Sequence, residues 1–287
     1  MIPRGAKKMS TKAEPIWRHI LALSGGKDSS ALAIYMKKQH PELEMEYVFC
    51  DTEKELDETY EYLARLEVYL ERKVIKLKSE GMGFDDLLKM RRGFLPSPQM
   101  RWCTEYLKIK PYEKYIGEDN VISYVGIRAD EMHRKRYIST KPNIIAKYPF
   151  IEDGKRRQDI IDLLNATYVG GKPIGMPSYY DWRSRSGCYF CFYQQRREWV
   201  GLLETHPDLF QKAMEYERID PETGERYTWV QGESLVQLAT PERVAQIKRE
   251  FEERTARESL NAPKRSLREV FSSEEEEQSP GCTICHL

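Results

Sequence analysis

One stretch, His19-Ile-Leu-Ala-Leu-Ser-Gly-Gly-Lys-Asp-Ser-Ser30, restricts the folds open to this chain more than any other. Residues 20–23 are an apolar run of strand length that stops abruptly at Ser24-Gly25-Gly26-Lys27-Asp28. A helical pattern starts at once, with Ala31, Leu32, Ile34 and Tyr35 among its apolar positions. Strand, glycine-rich turn and helix in that order aim several backbone N–H groups at one point, and the helix dipole adds positive potential there. Gly25 and Gly26 permit positive φ and close approach of a ligand to the backbone. Ser24 and Ser29 offer hydroxyls to phosphate oxygens, and Lys27 offers a charge. The pattern predicts a phosphate cradle. A capped helix start with a basic neighbour is the plainer reading of Ser-Gly-Gly alone, and the complete Ser-Gly-Gly-Lys-Asp-Ser behind a buried strand displaces it. The spacing is neither Gly-x-x-x-x-Gly-Lys-Ser/Thr nor Gly-x-Gly-x-x-Gly.

The segments that follow predict a parallel sheet. His40-Pro41 breaks the chain, and residues 45–50 read as a second strand ending at Asp51-Thr52. Residues 55–71 read as a helix with Leu56, Tyr60, Leu63, Leu66 and Leu70 near one face. Residues 74–77 and 121–125 read as third and fourth strands. This alternation predicts an α/β fold with a doubly wound, mainly parallel sheet, whose ligands sit beyond the carboxyl ends of the strands. Ser24 and Asp51 both close strands, so both reach one site. Residues 81–99, rich in Gly, Pro, Met and paired arginines, read as a mobile loop flanking it. Arg91, Arg92 and Arg101 are candidates for phosphate or nucleic-acid contact, or simply a solvated basic loop. Residues 158–166 read as a short helix, and 197–217 and 241–257 as amphipathic helices of a C-terminal lobe. The organisation expected is a flexible leader over 1–15, a nucleotide-binding domain over 16–180, a cysteine-containing helical lobe over 181–257 and a flexible acidic tail over 258–287.

Charge and cysteine usage narrow the function. The 287 residues hold 46 Lys+Arg and 46 Asp+Glu, so a global basic field is excluded and any nucleic acid must meet a local patch. Arg134-Lys-Arg136 and Lys155-Arg-Arg157 are such clusters, or solvated faces. No apolar run approaches the roughly 20 residues that span a bilayer, and no secretion signal is visible, which predicts a cytoplasmic protein without membrane attachment. Six cysteines in a chain this long do not make a disulfide scaffold. Cys188 and Cys191 stand at Cys-x-x-Cys spacing, within reach of one metal. Cys103 precedes a predicted helix, where the dipole favours a thiolate suited to a ligand or a nucleophile, while a buried apolar cysteine is the plainer alternative. Aromatics and arginines interleave over 181–197, as suits nucleic acid, though a packed core under a basic rim explains them as well.

Ser24-Gly-Gly-Lys-Asp-Ser29 resembles the PP-loop of the adenine-nucleotide alpha hydrolase-like ATP pyrophosphatases. In that family the loop holds the β- and γ-phosphates of ATP, and attack at the α-phosphate gives AMP transfer and pyrophosphate. Asp51-Thr-Glu-Lys-Glu-Leu-Asp-Glu-Thr-Tyr-Glu61 is similar to the Asp-Thr-Gly…Glu-Thr-Tyr segment of phosphoadenosine phosphosulfate (PAPS) reductase-like proteins, with Glu53 where that pattern has glycine. From chemistry alone Glu58 and Thr59 are an exposed helix start. Arg101-Trp-Cys-Thr…Leu-Lys…Pro111 and Gly126-Ile-Arg-Ala-Asp-Glu131 are similar to further segments of those proteins. Gly187-Cys-x-x-Cys191 with Trp199, Pro207, Phe210 and Glu215 resembles uncharacterised members and the DndC-type ATPase of DNA phosphorothioation systems.

The resemblance spans roughly residues 20–217. It implies an ATP pyrophosphatase that adenylates a substrate for sulfur incorporation, with Lys27, Asp28 and Cys103 as catalytic residues. Ser24, Gly25, Gly26, Lys27, Asp28, Ser29, Asp51, Thr52 and Arg128 would surround the nucleotide, with Mg2+ on Asp28 or Asp51. An iron–sulfur cluster with an open iron on Cys103, Cys188 and Cys191, with Cys282, Cys285 or no cysteine as a fourth ligand, is the first expectation for the cysteines. Zinc on Cys188, Cys191, Cys282 and Cys285 is the rival and a redox dithiol the third. Arg91, Arg92, Arg101, Arg134 and Arg136 would meet nucleic acid or phosphate. The implied partners are a cysteine desulfurase or other sulfur donor, nucleic acid with DNA ahead of tRNA, and other subunits of a modification complex. The ending Cys282-Thr-Ile-Cys-His-Leu287 differs from the Glu-Cys-Gly-x-His of true PAPS reductases, yet keeps a sulfonucleotide reductase open. A nucleotide-bound, non-catalytic subunit is the remaining alternative.

Overall fold

The computed structural model describes residues 16–131, 141–219 and 226–261. The predicted leader, Arg134, Arg136, Cys282 and Cys285 lie outside the described residues. Five strands make the central sheet: β1 (Trp17–Leu23), β2 (Met45–Cys50), β3 (Val74–Leu77), β4 (Asn120–Tyr124) and β5 (Ile144–Lys147). Their order is β3-β2-β1-β4-β5 and every pairing is parallel, with His19 opposite Met45 and Trp17 opposite Asn120. The fold is therefore the doubly wound α/β type that the alternation predicts. The fifth strand was not predicted, since its four residues alternate buried and accessible too briefly to make a pattern.

The helices are α1 (Lys27–Gln39), α2 (Asp57–Leu70), α3 (Phe84–Met90) and α4 (Trp102–Thr104), the last running through a π-helical turn (Glu105–Ile109) into α5 (Lys110–Ile116). Beyond β4 come α6 (Pro149–Glu152), α7 (Arg157–Asn165), α8 (Arg196–Thr205), α9 (Pro207–Met214), α10 (Leu235–Leu238) and α11 (Pro241–Asn261). Alternate β1 residues serve opposite faces of the sheet. Leu21 and Leu23 pack with Ala31, Leu32, Leu63, Leu66, Ile160 and Leu164 from α1, α2 and α7. Ile20 and Ala22 pack with Val48, Val121 and the α5 residues Tyr112 and Ile116. Burial of each such Leu or Ile contributes about 1.5–3 kcal/mol, which makes β1 the axis of both layers.

A second core builds the lobe. Phe190 stacks on Trp229 with centroids 4.9 Å apart, Phe84 lies 4.4 Å from Phe190, and Trp199 and Phe210 close the cluster. Here three expectations need correction. Within residues 81–99 the segment 84–90 is helix α3 rather than loop, with Phe84, Leu87 and Leu88 buried in the lobe core. Residues 197–217 are two helices rather than one, since Pro207 cannot continue α8 and opens α9 instead. Helix α11 also continues to Asn261, past its predicted end. Among the described residues no helix is long and apolar enough to cross a membrane.

The topology fixes where a site can form. From β1 the chain steps outward to β2 and β3, then returns to β1's other side as β4. The carboxyl ends of β1 and β4 therefore flank a topological switch point, the crevice where such sheets bind ligands.

Candidate functional site

The turn after β1 is organised by its own hydroxyls. The Ser24 N–H donates to Ser29 Oγ at 3.1 Å, the two hydroxyls lie 3.1 Å apart, and the Gly26 N–H donates to Ser24 Oγ at 3.3 Å. Gly25 has φ +73°, and a Cβ there would overlap Thr59 Cγ2 of α2, so this position needs glycine twice over. Gly26 is the N-cap of α1, with the Lys27 and Asp28 amides behind it. The predicted strand, glycine turn and helix start are thus in place.

The strand ends on both sides of β1 supply its walls. After β4, a Cβ on Gly126 would sit 3.1 Å from the Asp28 carbonyl group, and this close approach brings Arg128 onto Asp28. The Arg128 guanidinium, 3% exposed, donates to Asp28 Oδ1 at 2.8 Å and to Asp130 Oδ1 at 3.0 Å, and lies 3.6 Å from Glu131. Lys27 Nζ stands 3.3 Å from Asp28 Oδ2 and 4.9 Å from the centre of the Tyr180 ring. Asp28 is therefore clamped between two cations. Arg128, expected at the nucleotide, is directed in this structure at carboxylates.

After β2, Asp51 Oδ1 accepts from the Glu53 N–H at 2.9 Å and from the Tyr60 hydroxyl at 2.7 Å. Glu53 has φ +60°, so the chain keeps the left-handed turn a glycine would take, with the Glu53 carboxylate paired to Lys78. Thr52 Oγ1 donates to Glu55 Oε2 at 2.6 Å and lies 3.1 Å from Cys188 Sγ, which is 3.8 Å from Glu55 Oε1. Burial, then the neighbouring Glu55 charge, pushes the Cys188 thiol well above its ordinary range. Burial likewise raises the Glu55 carboxyl, with Lys108 opposing.

The Cys-x-x-Cys segment is a tight turn docked on this wall. The Cys191 N–H donates to the Cys188 carbonyl at 3.0 Å, and the Tyr189 N–H donates to the Lys54 carbonyl at 2.8 Å. Buried Arg183 donates to the Gly187 and Cys188 carbonyls at 3.0 and 2.6 Å. Cys103 lies within α4 rather than before it and packs against the lobe core. Cys50, Cys103, Cys188 and Cys191 are all outside disulfides. Among the described residues no three His, Cys, Asp or Glu side chains gather to hold a metal ion. Cys103, Cys188 and Cys191 are thus not gathered as a ligand set among the described residues, and Cys282 and Cys285 lie outside them. For magnesium the fit differs by residue. Both Asp28 oxygens face cations at 2.8 and 3.3 Å, and Asp51 Oδ2 faces one at a longer 3.9 Å, Lys78.

Arg91 and Arg101 are placed elsewhere. They line a cleft of about 430 Å³ with Gln99, Met100, Trp102 and Ile109, none of them cradle residues. Arg91 lies 5.8 Å over the Tyr106 ring, and Arg101 donates to the Tyr193 hydroxyl at 3.3 Å. Arg92 has φ +53° at the end of α3.

Sequence reading missed Tyr179, Tyr180 and Ser186, which reach the cradle from the lobe side. The Tyr179 hydroxyl donates to the Gly25 carbonyl at 2.7 Å, the Lys27 N–H donates to the Tyr180 hydroxyl at 3.2 Å, and Ser186 Oγ donates to Ser24 Oγ at 3.2 Å. It also missed Glu55. The available signal was the run of hydroxyl-bearing residues just before Cys188.

Comparison with known proteins places the cradle in a defined segment. Residues 18–149, just under half of the chain, match the phosphoadenosine phosphosulfate reductase domain family. Two uncharacterised proteins of Methanocaldococcus jannaschii are similar in sequence. One is 33% identical over 138 residues, 44% of this chain and 28% of its own length. The other is 26% identical over 196 residues, 67% of this chain and 45% of its own length. The chain thus spans less than half of either relative. A phosphoadenylyl-sulfate reductase from Candida auris, solved with phosphate, superposes with a TM-score of 0.47 at 14% identity, over 61% of this chain and 83% of that one.

Proposed function

We propose that this chain is an ATP pyrophosphatase of the PAPS reductase-like kind that adenylates an acceptor for sulfur incorporation, as in DNA phosphorothioation. The observation that carries this reading is the shared wall between cradle and thiol. Ser186 reaches Ser24 of the cradle, while Cys188, two residues on, touches Thr52 at the next strand end. This nearness supports a reading in which phosphate chemistry and sulfur chemistry share one crevice.

In this reading the cradle amides and Lys27 hold the outer phosphates and stabilise the charge that builds on the departing pyrophosphate. An acceptor oxygen attacks the α-phosphorus, pyrophosphate leaves, and the acceptor carries AMP. A sulfur nucleophile then displaces AMP, which leaves far more readily than the original oxygen. Asp51 would hold Mg2+, which supplies charge neutralisation between phosphates. The sulfur would come from a cysteine desulfurase or similar donor, and Arg91, Arg92 and Arg101 would meet the nucleic acid, DNA ahead of tRNA. No step is assigned to an iron–sulfur cluster.

The domain match favours a second reading, a sulfonucleotide reductase. One assay separates the two: pyrophosphate release from ATP and Mg2+ by anaerobically purified protein, wild type against Ser24→Ala and Asp28→Ala. Release that is lost in both variants supports adenylation. No release from ATP, with sulfite formed from PAPS, replaces it with the reductase.

A further inference from the structure

The cradle is closed in this structure, and chain closes it. Residues 24–30 are all buried. The Lys27 N–H, a helix-start donor that a phosphate would take, is engaged by the Tyr180 hydroxyl at 3.2 Å. Ser186 Oγ engages Ser24 Oγ at 3.2 Å. The same two hydroxyls would stand 3.0 and 2.6 Å from a Cβ on Gly26, so they fill the approach that glycine leaves open to a ligand. Arg183 ties this segment to the carbonyls of Gly187 and Cys188, and Cys188 Sγ rests 3.1 Å from Thr52 Oγ1. One stretch of chain thus covers the phosphate donors at one end and seats a thiol at the other.

We propose that residues 180–188 form a strap which a nucleotide phosphate displaces from the cradle, and that this displacement lifts Cys188 out of the Thr52–Glu55 pocket. The inference rests on the reading that the cradle binds ATP. A charged phosphate is a better acceptor at a helix N-terminus than a tyrosine hydroxyl, so the exchange is favourable. Gly187, at φ +136°, stands beside Cys188 in a backbone conformation that favours glycine. Cys188, only partly buried in this structure, is then more open to a sulfur-bearing partner when nucleotide is bound. Linkage makes the coupling reciprocal, so a group fixed on Cys188 outside its pocket favours nucleotide binding.

The test titrates ATP with Mg2+ into wild type, Tyr180→Phe and Ser186→Ala by calorimetry. Iodoacetamide labelling of Cys188 is followed by peptide mass spectrometry in the same samples. Saturating ATP should speed Cys188 labelling several-fold in the wild type. Tyr180→Phe, lacking one competing hydrogen bond, should bind ATP about fivefold tighter and label faster without nucleotide. Ser186→Ala should move both readouts the same way. Binding of ATP with unchanged Cys188 labelling overturns the strap and leaves the ATP reading standing. Weaker ATP binding by Tyr180→Phe also overturns it, making Tyr180 a nucleotide contact. ATP binding by none of the three proteins overturns the ATP reading and the strap together.

Discussion

Arg128 offers a direct contest between the role expected from sequence and the role its surroundings suggest. Its guanidinium is 3% exposed and serves Asp28 at 2.8 Å, Asp130 at 3.0 Å and Glu131 at 3.6 Å. Arg128→Met keeps most of the stem's volume and removes the charge. Breaking a buried ion pair from one side costs about 3–5 kcal/mol, because the abandoned carboxylates stay buried. Lys27, 3.3 Å from Asp28, offsets part of this loss. The expected cost is therefore near the lower end, about 3 kcal/mol. At about 2–4 °C per kcal/mol for a chain of this size, Tm should fall by about 6–12 °C. Thermal melts and urea midpoints without nucleotide measure it. In an Asp28→Asn background the same substitution should cost about 1–2 kcal/mol less, since the two residues share one interaction. A variant that melts with the wild type but binds ATP far more weakly would refute the reasoning and return Arg128 to the nucleotide.

Three further outcomes are expected. Gly25→Ala should destabilise by about 2 kcal/mol or more and abolish ATP binding, because it adds left-handed strain to a clash with Thr59, with urea unfolding and calorimetry as readouts. Glu53→Gly should stabilise by about 1 kcal/mol in the same unfolding assay, since glycine takes φ +60° without strain and the Lys78 contact it gives up is solvent-exposed. Glu46 carries a lowered carboxyl pKa, chiefly through its hydrogen bond from Arg18. Its contribution is present above the ordinary glutamate range and lost as pH falls through the lowered value. Arg18→Gln should thus flatten the acid limb of a urea-midpoint profile below about pH 5 by about 1 kcal/mol, and a limb of unchanged slope would remove Arg18 as the cause.

The parts of the fold that were legible share a local cause. Residues 20–28 fix strand, turn and helix within nine neighbours, because the apolar run, the paired glycines and the helix start each act at short range. Asp51 was legible for the same reason, standing where an apolar strand meets a polar turn. Glu53 shows the limit of pattern reading. Sequence comparison flags it as a missing glycine, yet the backbone keeps the glycine conformation, because the Asp51 side chain accepts from the Glu53 N–H and holds the turn. The third case is the cover. Tyr180 and Ser186 act on Lys27 and Ser24 across more than 150 residues, and no periodicity in either segment registers a hydroxyl meeting a backbone N–H at that separation. Arg128 belongs with them, since its partner Asp28 lies 100 residues away. The strand, glycine turn and helix start can therefore be read from nine residues, but the contacts that cover them are created only by the folded chain. The covering groups are hydroxyls rather than cations, so a ligand can exchange for them without breaking an ion pair. Asp28, whose partners are cations, is correspondingly the part of the cradle that should move least when a nucleotide enters.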